Sequence, residues 1–174
     1  MKKSLPTLLS LLLSYMLSAQ SLKPGFDPQE YSDILKIVFQ NFDSGVVDPK
    51  IPLPANYVNV YRSPEVGLMN RWNMWYRRDS ALAVISIRGT VNALPSWLEN
   101  FYAAMIPASG SLQLNDSLLF NYQLSGDLHA QVHVGWTIGL GFMAPTIIEQ
   151  IRLAYSRGIR EFVIAGHSQG GALA

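Results

Sequence analysis

The stretch that decides the fold is EFVIAGHSQGGALA, residues 161–174. Its first five residues are mostly apolar, which predicts a buried strand, and its last residues are small enough to open a helix. Between them, the pattern Gly-x-Ser-x-Gly puts Ser168 on a sharp turn that lifts its hydroxyl above the sheet. Gly166 and Gly170 are expected to relieve the crowding on either side of this turn. The amide of Gln169 would face the oxygen of a tetrahedral intermediate, so the stretch predicts a serine nucleophile beside an oxyanion donor.

A glycine-rich turn between a strand and a helix can instead serve packing or bind phosphate. Phosphate loops carry Gly-Lys-Ser or Gly-Lys-Thr, and no lysine lies in residues 161–174. A second motif, Arg88-Gly89-Thr90, follows an apolar run over residues 81–87. A loop beside a nucleophile can supply another oxyanion donor, and Thr90 offers both an amide and a hydroxyl. Alternatively, Thr90 only caps the segment that follows it.

Hydrophobic periodicity predicts strands that alternate with helices over the rest of the chain. The first helix is expected to begin at Asp27-Pro28 and to end before Gly45. Two further helices are predicted, over residues 95–104 and 145–157. A half-buried strand is predicted over 69–78, buried strands over 81–87 and 161–165, and another strand over 128–134. This order predicts an α/β fold with a central, mostly parallel sheet and helices on both faces.

Composition excludes several classes of protein. Thirteen Lys and Arg nearly balance twelve Asp and Glu, whereas nucleic-acid binding needs a basic excess. Trp72 and Trp75 among arginines could stack on single-stranded nucleic acid, but the balance of charge disfavours that interpretation. The absence of cysteine excludes disulfides, zinc-thiolate sites and a cysteine nucleophile. No Asp/Glu cluster has metal-ligand spacing, so we expect neither a metal nor a cofactor.

The N-terminus has the features of a secretory signal peptide, residues 1–19. Lys2 and Lys3 precede an apolar run over residues 5–17, which is shorter than the about 20 residues that a membrane span needs. We expect cleavage after Ala19 and an exported protein, periplasmic, surface-bound or extracellular, without a stable membrane span; an uncleaved anchor is the alternative. Residues 20–56 would then form a helix and a proline-rich connection, and residues 57–174 part of a catalytic domain.

Four ordered landmarks carry a resemblance to a known family. They are RGT at 88–90, SWLENF at 96–101, VHVGW at 132–136 and GHSQGGALA at 166–174. Together they resemble the class 3 lipases, the fungal-type triacylglycerol lipase family, which has the α/β hydrolase fold. The resemblance spans roughly residues 81–174, about half of the chain, and one departure is glutamine in place of leucine at position 169.

The resemblance implies roles for individual residues. Ser168 would be the nucleophile, and Thr90 with the amide of Gln169 would form the oxyanion hole. Trp97 and Phe101 would belong to a lid or line the acyl site, although the buried face of a helix is equally compatible with their spacing. The implied activity is hydrolysis of lipid or other apolar acyl esters, with the substrate met at an oil–water interface.

In this family the catalytic acid and histidine follow the serine, and here only residues 169–174 do. We therefore expect the N-terminal part of a longer hydrolase, truncated after the nucleophile strand and inactive by itself. His167 and His133 are expected to be structural, and His129, on the same predicted strand as His133, to serve packing or the surface. The alternatives are a non-catalytic binding module with the same fold and, less favoured, a secreted serine peptidase.

Overall fold

The structure is a computed structural model that describes residues 24–41 and 50–174. The predicted signal peptide and the predicted end of the first helix lie outside the described residues. Within them, no helix combines the length and apolar character needed to span a membrane. The first helix begins as predicted, because the side chain of Asp27 accepts hydrogen bonds from the amides of Gln29 and Glu30.

The described residues form four helices and eight strands. The helices are α1 (Pro28–Phe39), α2 (Leu94–Phe101), α3 (Val134–Ser156) and α4 (Gln169–Leu173). The strands are β1 (Tyr57–Arg62), β2 (Trp72–Arg77), β3 (Leu82–Ile87), β4 (Met105–Pro107), β5 (Ser109–Asn115), β6 (Leu118–Gln123), β7 (Gln131–His133) and β8 (Glu161–Gly166).

The central sheet has the strand order β1-β2-β3-β8. The β1–β2 and β2–β3 pairs are antiparallel, and the β3–β8 pair is parallel. Short loops join the first three strands, and a short loop permits only antiparallel pairing, whereas α2 and α3 lie in the crossover to β8. The α/β class is confirmed, and over the described residues the sheet is mixed: the mostly parallel arrangement expected from the sequence is limited to this one pair.

Helices cover both faces of this sheet, as predicted. On one face, Met74 and Ile85 pack in a cluster with Met143 of α3. On the other, Trp75 and Val84 pack with Ile37 of α1. All six residues of β3 are buried, as expected, but the prediction of a half-buried β2 is wrong, because four of its six residues are buried as well.

Two element boundaries and the burial of one strand differ from the predictions. Only residues 131–133 of the predicted strand 128–134 are extended, and they pair with β4 in a separate two-stranded sheet. The following helix begins at Val134 rather than at Pro145, which lies inside α3. β8 is partly exposed instead of buried, with Ile164 47% exposed, because it lies at the edge of the described sheet. The β5–β6 hairpin was not predicted.

Candidate active site

Ser168 lies at the junction of β8 and α4 with φ 56° and ψ −127°, a left-handed conformation rare for residues other than glycine. The two flanking glycines leave no room for a side chain. A Cβ atom at Gly166 would collide with the backbone of Gly170, and one at Gly170 would collide with the carbonyl oxygen of Ile87. The predicted crowding of the turn is therefore present, and the turn is pressed directly against the end of β3.

The loop after β3 is anchored next to this turn. A Cβ atom at Gly89 would lie 2.6 Å from the carbonyl oxygen of His167, so the two backbones are in close contact. Arg88 is 2% exposed, and its Nη2 donates to Glu65 Oε1 and to the carbonyl oxygen of Met69, both at 2.7 Å. The hydrogen bond from Arg88 lowers the pKa of Glu65. Arg88 thus fixes the loop that carries Thr90, two residues further along the chain.

Thr90 and Gln169, both predicted site residues, are brought together by a chain of hydrogen bonds. Trp136 Nε1 donates to Asn100 Oδ1 at 3.0 Å, and Asn100 Nδ2 donates to Thr90 Oγ1 at 3.0 Å. The Thr90 hydroxyl in turn donates to Gln169 Oε1 at 2.9 Å. The Thr90 hydroxyl therefore donates its hydrogen bond to another protein group in this structure. The amide of Gln169 opens α4, and the first amides of a helix have no partner within it.

A cleft of about 590 Å³ lies over these residues. Its lining residues include Ser168, Thr90 and Gln169 together with apolar rings from α2 and α3. Trp97 and Phe101 of α2 line it with ring centroids 6.3 Å apart, and they are 46% and 71% exposed. These two side chains are thus outside the hydrophobic core, while Ser96 and Glu99 form the buried face of α2.

None of the three histidines is hydrogen-bonded to Ser168 within the described part of the chain. The ring of His167 lies against Phe39 of α1, with centroids 5.4 Å apart. His133 Nδ1 accepts from the amide of Trp136, which leaves the proton on Nε2, and Nε2 lies 3.2 Å from the carbonyl oxygen of Asn100. His129 is exposed in a turn, so its predicted place on a strand is wrong.

Glu99 is a residue of this region that the sequence analysis did not single out. Its side chain is fully buried, Asn70 Nδ2 donates to its Oε2 at 2.9 Å, and a Cβ atom at Gly139 of α3 would collide with its Oε1. Burial raises the pKa of Glu99 to about 7, against the opposing effect of the Asn70 and Gln169 amides. Glu99 Oε1 and Gln169 Nε2 are both buried without a hydrogen-bond partner.

Metal binding has no support in this part of the chain. Among residues 24–41 and 50–174, no group of three or more histidine, aspartate or glutamate side chains is placed to hold a metal ion.

Comparison with known proteins places these features in a family. Residues 84–174 match the family model described as lipase (class 3), and no curated protein matches the chain. A nonglycosylated lipase of Yarrowia lipolytica shares the fold with a TM-score of 0.51 and 15% identity over 83% of this chain and 50% of its own. A triacylglyceride lipase of Rhizomucor miehei gives a TM-score of 0.49 and 14% identity over the same shares. The chain thus spans about half the length of these structures.

Proposed function

Since the chain belongs to the class 3 lipases, we propose that the whole protein hydrolyses carboxylic esters with apolar acyl groups through an acyl-enzyme on Ser168. The observation that carries this proposal is the left-handed backbone of Ser168 between β8 and α4. That conformation is sterically costly, and glycine at positions 166 and 170 is what makes it attainable. A strained serine at the mouth of a cleft is expected where its hydroxyl must reach a substrate.

In the proposed reaction, Ser168 Oγ attacks the acyl carbon and the ester C–O bond breaks. The serine proton passes through a base to the leaving alcohol, and water then hydrolyses the acyl-enzyme. The amides of Thr90 and Gln169 would stabilise the oxyanion, because both residues line the cleft beside Ser168. The described residues present no histidine to Ser168, so we propose that the base and its acid partner come from elsewhere in the whole protein.

The cleft favours an apolar acyl group. Trp97, Phe101 and Trp136 line it, and in the structure Trp97 is about half exposed and Phe101 largely exposed. Exposed aromatic rings beside a reactive serine suit contact with a lipid chain or a lipid–water interface. We propose lipid esters as the substrate class, and export through the N-terminal segment would bring the enzyme to them outside the cytoplasm.

The test is covalent trapping of the intact protein with a fluorophosphonate probe, combined with hydrolysis of p-nitrophenyl butyrate. We expect the label on Ser168 and loss of both labelling and turnover in Ser168→Ala. Ser109→Ala, an exposed serine of β5, is the matched control and should retain both. A label on another residue, or full turnover by Ser168→Ala, would overturn the proposal. A folded protein that neither takes the label nor turns over ester would favour the binding module, and casein cleavage without ester turnover would favour the peptidase.

A further inference from the structure

The hydrogen-bond chain beside Ser168 fixes the orientation of the Asn100 side-chain amide and, in the structure, pairs the Gln169 amide oxygen with Thr90. Trp136 Nε1 can only donate, so the Asn100 atom that it meets must be the oxygen, and Asn100 Nδ2 must point to Thr90. Thr90 Oγ1 therefore accepts from Asn100, and in the structure its own proton goes to Gln169 Oε1. With Oε1 directed at Thr90, Nε2 of Gln169 occupies the other side of the amide.

That other side faces a buried carboxyl group. Gln169 is 4% exposed and Glu99 is fully buried, and the Gln169 side-chain amide is close enough to lower the pKa of the Glu99 carboxyl by hydrogen bonding, against the effect of burial. Gln169 Nε2 is a donor without an acceptor, and Glu99 Oε1 is an acceptor without a donor. Two complementary unsatisfied atoms are costly in a buried site, so a small adjustment that pairs them is favourable.

We propose that Glu99 is a positioning residue that sets, through the side-chain amide of Gln169, whether the hydroxyl of Thr90 donates inside the protein or toward the oxyanion. This inference rests on the proposed function, because it assumes that Thr90 contributes to an oxyanion hole. The amides of Thr90 and Gln169 act in both arrangements. The hydroxyl is the additional donor that Glu99 would control.

The two arrangements differ by one proton and one amide rotation. An ionised Glu99 accepts from Gln169 Nε2, which keeps Oε1 on the Thr90 hydroxyl as in the structure. A protonated Glu99 instead donates to Gln169 Oε1, and this requires the amide to turn over. Nε2 then donates to Thr90 Oγ1, whose second lone pair still accepts from Asn100. The proton of Thr90 is thereby released to the substrate oxygen.

The surroundings of Glu99 make this proton exchange accessible near neutral pH. Burial raises its pKa to about 7, and the other groups that influence it are the Asn70 and Gln169 amides. In the described part of the chain, no charged side chain on the loop before β2, on α3 or on α4 contributes to this pKa. Glu99 is therefore expected to titrate according to its burial and these two amides alone.

The test compares pH profiles of kcat for p-nitrophenyl butyrate hydrolysis by the intact protein. The profile of the wild type is divided by that of Glu99→Gln, which cancels the titration of the general base. Removing a whole oxyanion donor costs about 10²–10³-fold in kcat. Since both amides remain, we expect this ratio to fall about tenfold between pH 6 and pH 8, with KM unchanged. Glu149→Gln, an exposed residue of α3, is the matched control, and its ratio should stay flat.

Two further backgrounds separate positioning from a purely structural role. Thr90→Val keeps the amide and removes the hydroxyl, and in this background the Glu99→Gln ratio should not change with pH. Gln169→Leu removes the side-chain amide that connects Glu99 to Thr90. The kcat of the wild type divided by that of Gln169→Leu should show the same fall with pH. This second ratio tests the inference if Glu99→Gln does not fold. A flat ratio for Glu99→Gln or Gln169→Leu, or an unchanged slope in the Thr90→Val background, would overturn the inference. The labelling and loss of activity that test Ser168 are independent of these ratios, so failure of the proposed function would be recognised separately.

Discussion

Replacing Glu99 by glutamine should stabilise the protein at neutral and alkaline pH. The folded protein holds the Glu99 proton up to a pKa of about 7, whereas the ordinary value is 4.5. Between these values the folded state binds more protons than the unfolded state, so the stability falls as the pH rises. At about 1.4 kcal/mol per pH unit, the ionised carboxylate costs about 3 kcal/mol above pH 7 and nothing below pH 4.5. Glutamine has nearly the same size, can still accept from Asn70 and carries no charge.

The measurement is urea denaturation of the intact wild type and of Glu99→Gln, followed by circular dichroism at pH 4.5, 6 and 8. The free energies of unfolding should nearly coincide at pH 4.5, and the variant should gain steadily to about 2–3 kcal/mol at pH 8. Glu149→Gln, which makes the same chemical change on the exposed face of α3, should show no such trend. A difference between wild type and Glu99→Gln that is the same at all three pH values would refute the reasoning.

Three more predictions concern the turn, the cleft and the core. Gly166→Ala should cost about 1–3 kcal/mol by overpacking and should abolish ester turnover, whereas Gly126→Ala, which meets open space, should change neither property in denaturation and hydrolysis assays. Trp97→Ala should leave Tm unchanged, because the ring is half-exposed, and should lower kcat/KM more for long-chain than for butyrate esters. Asn41→Ala removes a buried 2.7 Å hydrogen bond to the carbonyl oxygen of Ser86, and urea denaturation should show a loss of about 1–3 kcal/mol.

The turn around Ser168 could be predicted from the sequence because its causes are local. A run of apolar residues, two glycines and a serine between them determine one tight strand-to-helix connection. The structure has the corresponding left-handed Ser168 and the crowded Gly166. The family landmarks extended this local prediction to Thr90, which the hydrogen bond to Gln169 places at the same site.

The remaining errors concern interactions between distant segments. Whether β2 is covered on both faces depends on α1, which lies more than thirty residues earlier in the chain. The early start of α3 was missed because Gly135 and Gly139 are poor helix formers. These glycines allow α3 to pack closely against α2, since a Cβ atom at either position would collide with Glu99. Periodicity within a single segment contains no information about such a partner.

The burial of Glu99 and the presence of glutamine at position 169 are best explained together. A fully buried carboxyl group is costly, and the Asn70 amide satisfies only one of its two oxygens. The family motif has leucine where this chain has Gln169, and a leucine there would offer the second oxygen no donor. The glutamine oxygen accepts from Thr90, and its amide nitrogen, buried without an acceptor, is the donor that we propose for the second oxygen of Glu99. Under the proposal, the departure from the family pattern has a physical reason, because glutamine at position 169 can connect a buried acid to the hydroxyl of Thr90.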